Sequence, residues 1–399
     1  MVKSASVLII GSGIAGTTFA HRCARAGLPV TVLERDSEPG GALRSHRFAK
    51  GGGFWTELGA HTCYNSYGTL LSVIEECGLL KELRPRAKVG FKFLVENQVK
   101  SILSQLHILE AARHLPLGLR TSKAGLSVAD YYTRLLGAKN YSDVLAPAFN
   151  AVMCQAAGGL PAEMLFKKRP RRADVQRTYT LPQGLQSVVK TALAQPGVTL
   201  ATGREAVSVE RADAGFEVAT AAGETYQARL LVVATPANVA AQLLRHAFPS
   251  VSEKLSRIRV ETIETVGVLV PRAAVKSPPV AGLIARDDLF YSAVSRDVVP
   301  DATWRGFAFH FKPGKLDAQG KLRRIADALG IATADIVESV FRTNALPSPR
   351  VGHAALVESL DATLTGMPLF LVGNYFEGVS IEDCAARAAA EFTRLTSLG

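Results

Sequence analysis

Two groups of residues could do chemistry at the start of the chain. Four apolar residues, Val7 to Ile10, run straight into Gly11-x-Gly13-x-x-Gly16, and Glu34 follows eighteen residues later. A strand entering a glycine turn that opens a helix is a cradle for a diphosphate. Gly11 permits the tight turn, Gly13 lets the backbone approach the phosphates, and Gly16 lets the helix pack close to the sheet. Ile14 and Ala15 sit at the helix start, where free N–H groups and a partial positive charge face the phosphates. A carboxylate at Glu34, with Arg35 after it, can accept hydrogen bonds from ribose hydroxyls and would repel a 2′-phosphate. The elements that must position these groups follow from the pattern: strand 7–10, a helix from Ile14 to Ala26 stopped by Gly27, and a parallel strand from Val30 to Leu33.

Further along, Pro39-Gly40-Gly41-Ala42-Leu43-Arg44 predicts a sharp turn, with Arg44 near the diphosphate or a flat ring system. Gly51 to Gly53 precede Glu57-Leu58-Gly59-Ala60-His61. These glycines permit a ligand to lie close to the backbone. Residues 68–80 read as an amphipathic helix and 92–99 as a hairpin. Ser127 to Asp130 reads as a capping box before a helix ended by Gly137. A helix is expected through Ala194, then strands at 198–201, 207–209, 216–219 and 230–236. Beyond 236 the pattern predicts strands near 266–270, 289–294 and 306–311, and helices at 317–330 and 334–342. Pro368 to Gly373 reads as a strand leading to Asn374 and a C-terminal helix that runs to about Leu395.

The chain has 399 residues, enough for two domains, with 48% hydrophobic and 20% charged residues, as in a globular protein with a substantial core. The net charge of +11 suits an anionic small-molecule substrate or an anionic membrane surface. The charges are dispersed and carry no nucleic-acid signature. The densest patch, Lys167 to Arg172, reads equally as a solvated loop or a binding element. Five cysteines without paired spacing suggest reduced thiols of a cytoplasmic protein. No metal-ligand cluster, signal peptide or spanning segment is expected. A peripheral membrane contact and the oligomeric state stay open.

The chain resembles the superfamily of flavin-dependent amine oxidases, protoporphyrinogen oxidases and phytoene desaturases. Gly40, Gly41 and Arg44 match its Gly-Gly-x-x-Arg segment, and Glu57, Gly59 and Ala60 its acid-x-Gly segment. Asn344 to Pro347 and Val351-Gly352-His353 are similar to protoporphyrinogen oxidase segments, as are Gly373-Asn374-Tyr375 and Glu377-Gly-Val379-Ser380-Ile381-x-Asp383-Cys384. The resemblance implies an α/β fold with a discontinuous Rossmann-type FAD-binding domain (1–80, 178–235 and 354–399) and an inserted α+β substrate domain (81–177 and 236–353). It implies FAD as cofactor, Leu58 and His61 beside the flavin, Val207 bonding the adenine through its backbone, and Ala234 on the strand that exits the nucleotide domain. Val379, Ser380 and Ile381 would begin a helix whose positive end faces the flavin atoms that gain charge on reduction. His353 reads as structural rather than as a general base, and Cys384 as a packed residue rather than a flavin thioether. With no second glycine fingerprint, electrons are expected from an organic substrate. The implied activity is hydride transfer to flavin N5 from a protoporphyrinogen or coproporphyrinogen, with electrons passed to O2 or another acceptor. An isoprenoid, amine or secondary-metabolite desaturase or oxidase is the alternative, and a non-redox FAD-binding partner the alternative of another class. No catalytic residue is assigned.

Overall fold

The computed structural model describes residues 2–118 and 120–398. Met1 and Gly399, the ends of the expected 1–80 and 354–399 segments, and Leu119 within 81–177, lie outside the described residues.

The described residues form two seven-stranded sheets, with two smaller sheets of two and three strands. In the first, Val198–Ala201, Val30–Leu33, Val2–Ile10 and Thr225–Val233 are parallel neighbours, and Leu369–Leu371 pairs in parallel with Thr225–Val233. Gly215–Thr220 and Ala206–Ala212 extend it as an antiparallel meander. The run Val7 to Ile10 is apolar at every position because this part of the sheet is covered on both faces. Val7 and Ile9 pack with Phe19 and Phe370 under the helix Ile14–Arg25 and the C-terminal helix Ile381–Thr396. Leu8 and Ile10 pack on the other side with Leu231, Leu371 and helices Ala237–Leu244 and Pro249–Ser256. The rings of Phe19 and Phe370 lie 5.7 Å apart, tying the first helix to the last strand.

The second sheet runs Glu338–Pro347, Val260–Pro271, Trp304–Phe311, Phe290–Ser295, Gly282–Ala285, Phe91–Val95, Gln98–Lys100. Val266, Val268, Phe307 and Phe309 on one face pack against Ile325 and Leu329 of helix Ala318–Leu329. The other face meets the first half of the molecule through glycines. A Cβ on Gly267 would lie 2.5 Å from Leu58 Cδ2, and one on Gly306 would lie 2.6 Å from Phe54 Cε1. The absence of side chains there lets segment 54–58 rest on the sheet.

The structure corrects two expected elements. Residues 334–342 are not a helix: a short 3-10 turn at Thr333–Asp335 leads into the strand Glu338–Pro347, which pairs with Val260–Leu269 along ten residues. Val340, Phe341 and Thr343 favour a strand, and the open edge of a long neighbour supplies the ladder that local helix propensity could not offset. The helix expected over 68–80 ends at Glu76, because Gly78 takes φ +76° and closes it. Of the expected capping box the N-cap half is present, with Ser127 Oγ accepting from Asp130 N at 3.1 Å ahead of helix Val128–Leu136, while the Asp130 carboxylate accepts from Ser127 Oγ at 2.6 Å rather than from the Ser127 backbone. No helix among the described residues is long and apolar enough to cross a membrane.

Candidate active site

The three glycines of the first turn have different surroundings. Gly11 adopts φ +105°, and a Cβ there would lie 2.8 Å from the Ala234 carbonyl oxygen. Gly16 sits where the helix crosses the turn: a Cβ would fall 2.1 Å from the Gly11 carbonyl oxygen. Gly13, with φ −63° and ψ 173°, precedes the first helical residue, and a Cβ on it meets nothing within 4 Å. The space beside Gly13 is therefore open, and the helix N-terminus behind it has no side-chain cap and no acid in its first turn. Its N–H groups are left for an anion. The second glycine segment completes the cradle: Gly13 and Gly40 form a parallel bridge, and Gly41, at φ +56°, comes within 3.1 Å of the Gly13 Cα by its built Cβ.

Glu34 is buried at the strand end. Its Oε2 accepts from Ser12 N at 3.1 Å and from Ser12 Oγ, and its Oε1 accepts from Asp36 N at 2.9 Å. The carboxylate is thus oriented from both sides before any ribose meets it.

A cavity of about 240 Å³ runs past these groups. Of the residues singled out in the sequence, it brings together Gly11, Gly13, Ile14, Ala15, Glu34, Arg35, Gly40, Gly41, Ala42, Ala60, Ala234, Gly373, Asn374, Val379 and Ile381. Others stand outside its lining. Gly16 is packed behind the turn. Gly59 backs onto Ala42, whose carbonyl oxygen would lie 2.3 Å from a Cβ, and Leu58 is buried against Gly267. Arg44 turns to Glu38, with Nη1 3.4 Å from Oε2. Val207 is half exposed, and its neighbours Glu205 and Ala206 line the cavity instead. Ser380 caps the C-terminal helix, accepting from Asp383 N at 3.0 Å. His61 borders a second, much smaller pocket with Glu57, Arg86 and Arg296.

Sequence reasoning missed Ser12, Asp36, Pro236 and the strand residues Arg342 and Thr343 as cavity residues. Ser12 and Asp36 adjoin recognised positions and could have been found there. Arg342 arrives from the second sheet, and no local pattern signals it. The basic patch resolves into ion pairs: Lys167 Nζ and Arg169 Nη2 lie 3.0 and 2.6 Å from Asp383 Oδ1, and Arg172 pairs with Glu75 and Asp174. Cys384 lines the cavity, and burial pushes its thiol up to about 12, so it stays protonated.

Strand register aligns a polar row across the second sheet: Arg342 opposite Thr265, Thr265 opposite His310, His310 opposite Ser292. His310 Nδ1 meets Thr265 Oγ1 at 3.0 Å, and burial holds its pKa down at about 4. His61 is held at about 3 by burial and by Arg86. Both rings are neutral at physiological pH. His353 Nε2 donates to the Tyr375 carbonyl oxygen at 2.6 Å and fixes the turn after Gly373. Among the described residues one cysteine–histidine approach occurs: Cys77 Sγ lies 4.0 Å from His21 Nδ1. The Gln195 amide donates to that sulfur at 3.1 Å, burial raises the thiol to about 11, and neither cavity reaches it. No metal-holding group of His, Cys, Asp or Glu occurs among the described residues.

Glu57 is buried, its Oε1 accepting from Leu185 N at 2.7 Å and its Oε2 from Ser45 Oγ at 2.8 Å. Burial outweighs both bonds and lifts its pKa from 4.5 to about 7. A raised carboxyl stabilises the fold below its unfolded pKa, and that contribution is lost as pH rises through 7. The stability of the wild type relative to Glu57→Gln should therefore fall by about 3 kcal/mol between pH 4.5 and 8. Urea titrations of both proteins across that range check this, and parallel pH profiles would refute it.

Comparison with known proteins accords with this geometry. The profile of the flavin-containing amine oxidoreductases matches residues 14–391. An L-amino-acid oxidase from Daboia russelii is 30% identical over 134 residues, 33% of this chain and 25% of that protein. Protoporphyrinogen oxidase 2, chloroplastic/mitochondrial, from Arabidopsis thaliana is 30% identical over 102 residues, 26% of this chain and 20% of that protein. The matched stretches thus span about a quarter of these curated relatives or less. The solved structure of a candidate protoporphyrinogen oxidase from Exiguobacterium sp. 255-15 superimposes with a TM-score of 0.77 at 17% identity, covering 100% of this chain and 99% of that one. At that identity the likeness is one of fold. Glycine cradle, uncapped helix N-terminus, buried Glu34 and a family match across nearly the whole chain agree: the chain belongs to the flavin-containing amine oxidoreductases, and its cofactor is FAD.

Proposed function

We propose that the protein is an FAD-dependent oxidase or dehydrogenase acting on a porphyrinogen. The observation that carries the reading is the single cavity joining two helix N-termini. At one end are the diphosphate cradle of Gly11, Gly13 and Gly41 and the ribose acceptor Glu34. At the other are Gly373, Val379 and Ile381 at the start of the C-terminal helix. When bound there, FAD would supply a two-electron acceptor for a hydride from the substrate, with O2 or another oxidant as the final acceptor. The chain's own task is to hold, orient and exclude water. The glycine segments fix the cofactor through backbone groups. The Ser380–Asp383 capping box pins the helix start, whose positive end favours the charge gained on reduction. Residues 1–80, 178–235 and 354–399 form the FAD-binding part in this reading, and 81–177 with 236–353 the substrate part.

The choice of substrate rests on charge. At the Ala60–Ile381 end, the lining residues Asn344, Leu346, Asn374, Val379 and Cys384 include no carboxylate. An ammonium group would be left without an anionic partner there, and those residues supply no cation either, so what favours a carboxylate-bearing porphyrinogen is the net charge of +11 over the whole chain. The likeness to an L-amino-acid oxidase favours a second reading, an amine or amino acid as electron donor. Anaerobic titration of the FAD-loaded protein separates them. Protoporphyrinogen or coproporphyrinogen should bleach the flavin band while amines and L-amino acids leave it unchanged. Bleaching by an amino acid or amine alone would transfer the assignment to the second reading.

A further inference from the structure

We propose that Arg342, delivered from the second sheet, is the arginine that pairs with the cofactor diphosphate, so that cofactor binding also locks the two sheets together. This rests on the FAD reading above. Arg44, the arginine that the sequence marks for this place, is turned to Glu38 outside the cavity. The cavity-lining arginines are Arg35, Arg204 and Arg342. Arg35 is 60% exposed and pairs with Asp36 at 3.7 Å. Arg204 is taken up by Glu224. Arg342 is 21% exposed, with Nη2 3.0 Å from Asp36 Oδ2 and 3.3 Å from the Gly41 carbonyl oxygen. Its Nε donates to Asn344 Oδ1 at 3.2 Å, and Nη1 makes no hydrogen bond among the described residues.

Gly41 abuts Gly13, so the guanidinium stands beside the turn that offers its N–H groups to the diphosphate. A guanidinium is a planar fork that can hold a carboxylate and a carbonyl on one side and a phosphate oxygen on the other. Asp36 orients the fork but also places a negative charge next to the phosphates. The two members of this ion pair should therefore act on FAD affinity with opposite sign.

The test is the FAD dissociation constant of the apo-protein, read from flavin fluorescence, together with thermal melting of each apo-variant. Arg342→Gln should weaken FAD on the order of 10- to 100-fold, the loss expected for one charge-assisted hydrogen bond. Arg342→Lys, which keeps the charge, should recover part of that loss. Asp36→Asn should bind FAD at least as tightly as the wild type, although it breaks the same ion pair. Equal weakening by Arg342→Gln and Asp36→Asn would mean a purely structural ion pair and would overturn the inference. So would normal affinity in Arg342→Gln. A wild-type apo-protein that takes up no FAD would instead overturn the reading on which the inference rests.

Discussion

Gly13→Val should purify as a folded but colourless protein. A Cβ on Gly13 meets nothing within 4 Å, and φ −63° with ψ 173° is extended backbone that valine adopts without strain. Replacing glycine before the first helical turn costs the fold at most about 1 kcal/mol. The same side chain would project into the space beside the helix N-terminus and hold the diphosphate away. Overpacking of about 1–3 kcal/mol and the loss of N–H contacts of about 1 kcal/mol each combine to weaken FAD about 100-fold or more. Fluorescence titration of apo-protein with FAD checks this, alongside circular dichroism to show that the fold is kept. Wild-type affinity in a well-folded Gly13→Val would remove the cofactor from this turn.

Gly16→Ala should do the reverse and injure the fold itself. Its Cβ would fall 2.1 Å from the Gly11 carbonyl oxygen and 3.0 Å from Ala234 Cβ, so there is no flexible side chain to yield. The helix must lift from the strand, spoiling the packing of Phe19 on Phe370. Overpacking of about 3 kcal/mol exceeds the roughly 1 kcal/mol that alanine gains over glycine within a helix. A net loss of about 2 kcal/mol or more should appear in urea unfolding of the apo-protein. Equal stability would show that Gly16 is not where helix and strand meet.

These two glycines also show what the sequence could reveal. Their places at the turn were legible because a strand, a turn and a helix within thirty residues leave few geometries, with Gly16 packed on the Gly11 carbonyl and Gly13 beside open space. The strand pattern 198–233 was legible for the same local reason. The strand Glu338–Pro347 was not: its ladder depends on Val260–Leu269, some eighty residues away, and its own residues fit a helix nearly as well. Arg342 escaped notice with it, since its guanidinium meets Asp36 and Gly41 only through contacts some three hundred residues apart in the chain. Arg44 shows the converse. Its motif placed it at the cofactor, but Glu38, six residues earlier, holds it outside the cavity. The patch at Lys167 to Arg172 could not be read alone, because the carboxylate that takes up Lys167 and Arg169 lies at Asp383.

The central claim is that one cavity binds FAD and exposes it to an organic electron donor. The most direct test is the visible absorption spectrum of the purified protein, before and after anaerobic addition of protoporphyrinogen. The account predicts the bands of oxidised flavin at one FAD per chain, bleached by the donor and restored when air is admitted. A protein that is colourless and takes up no added FAD would contradict it.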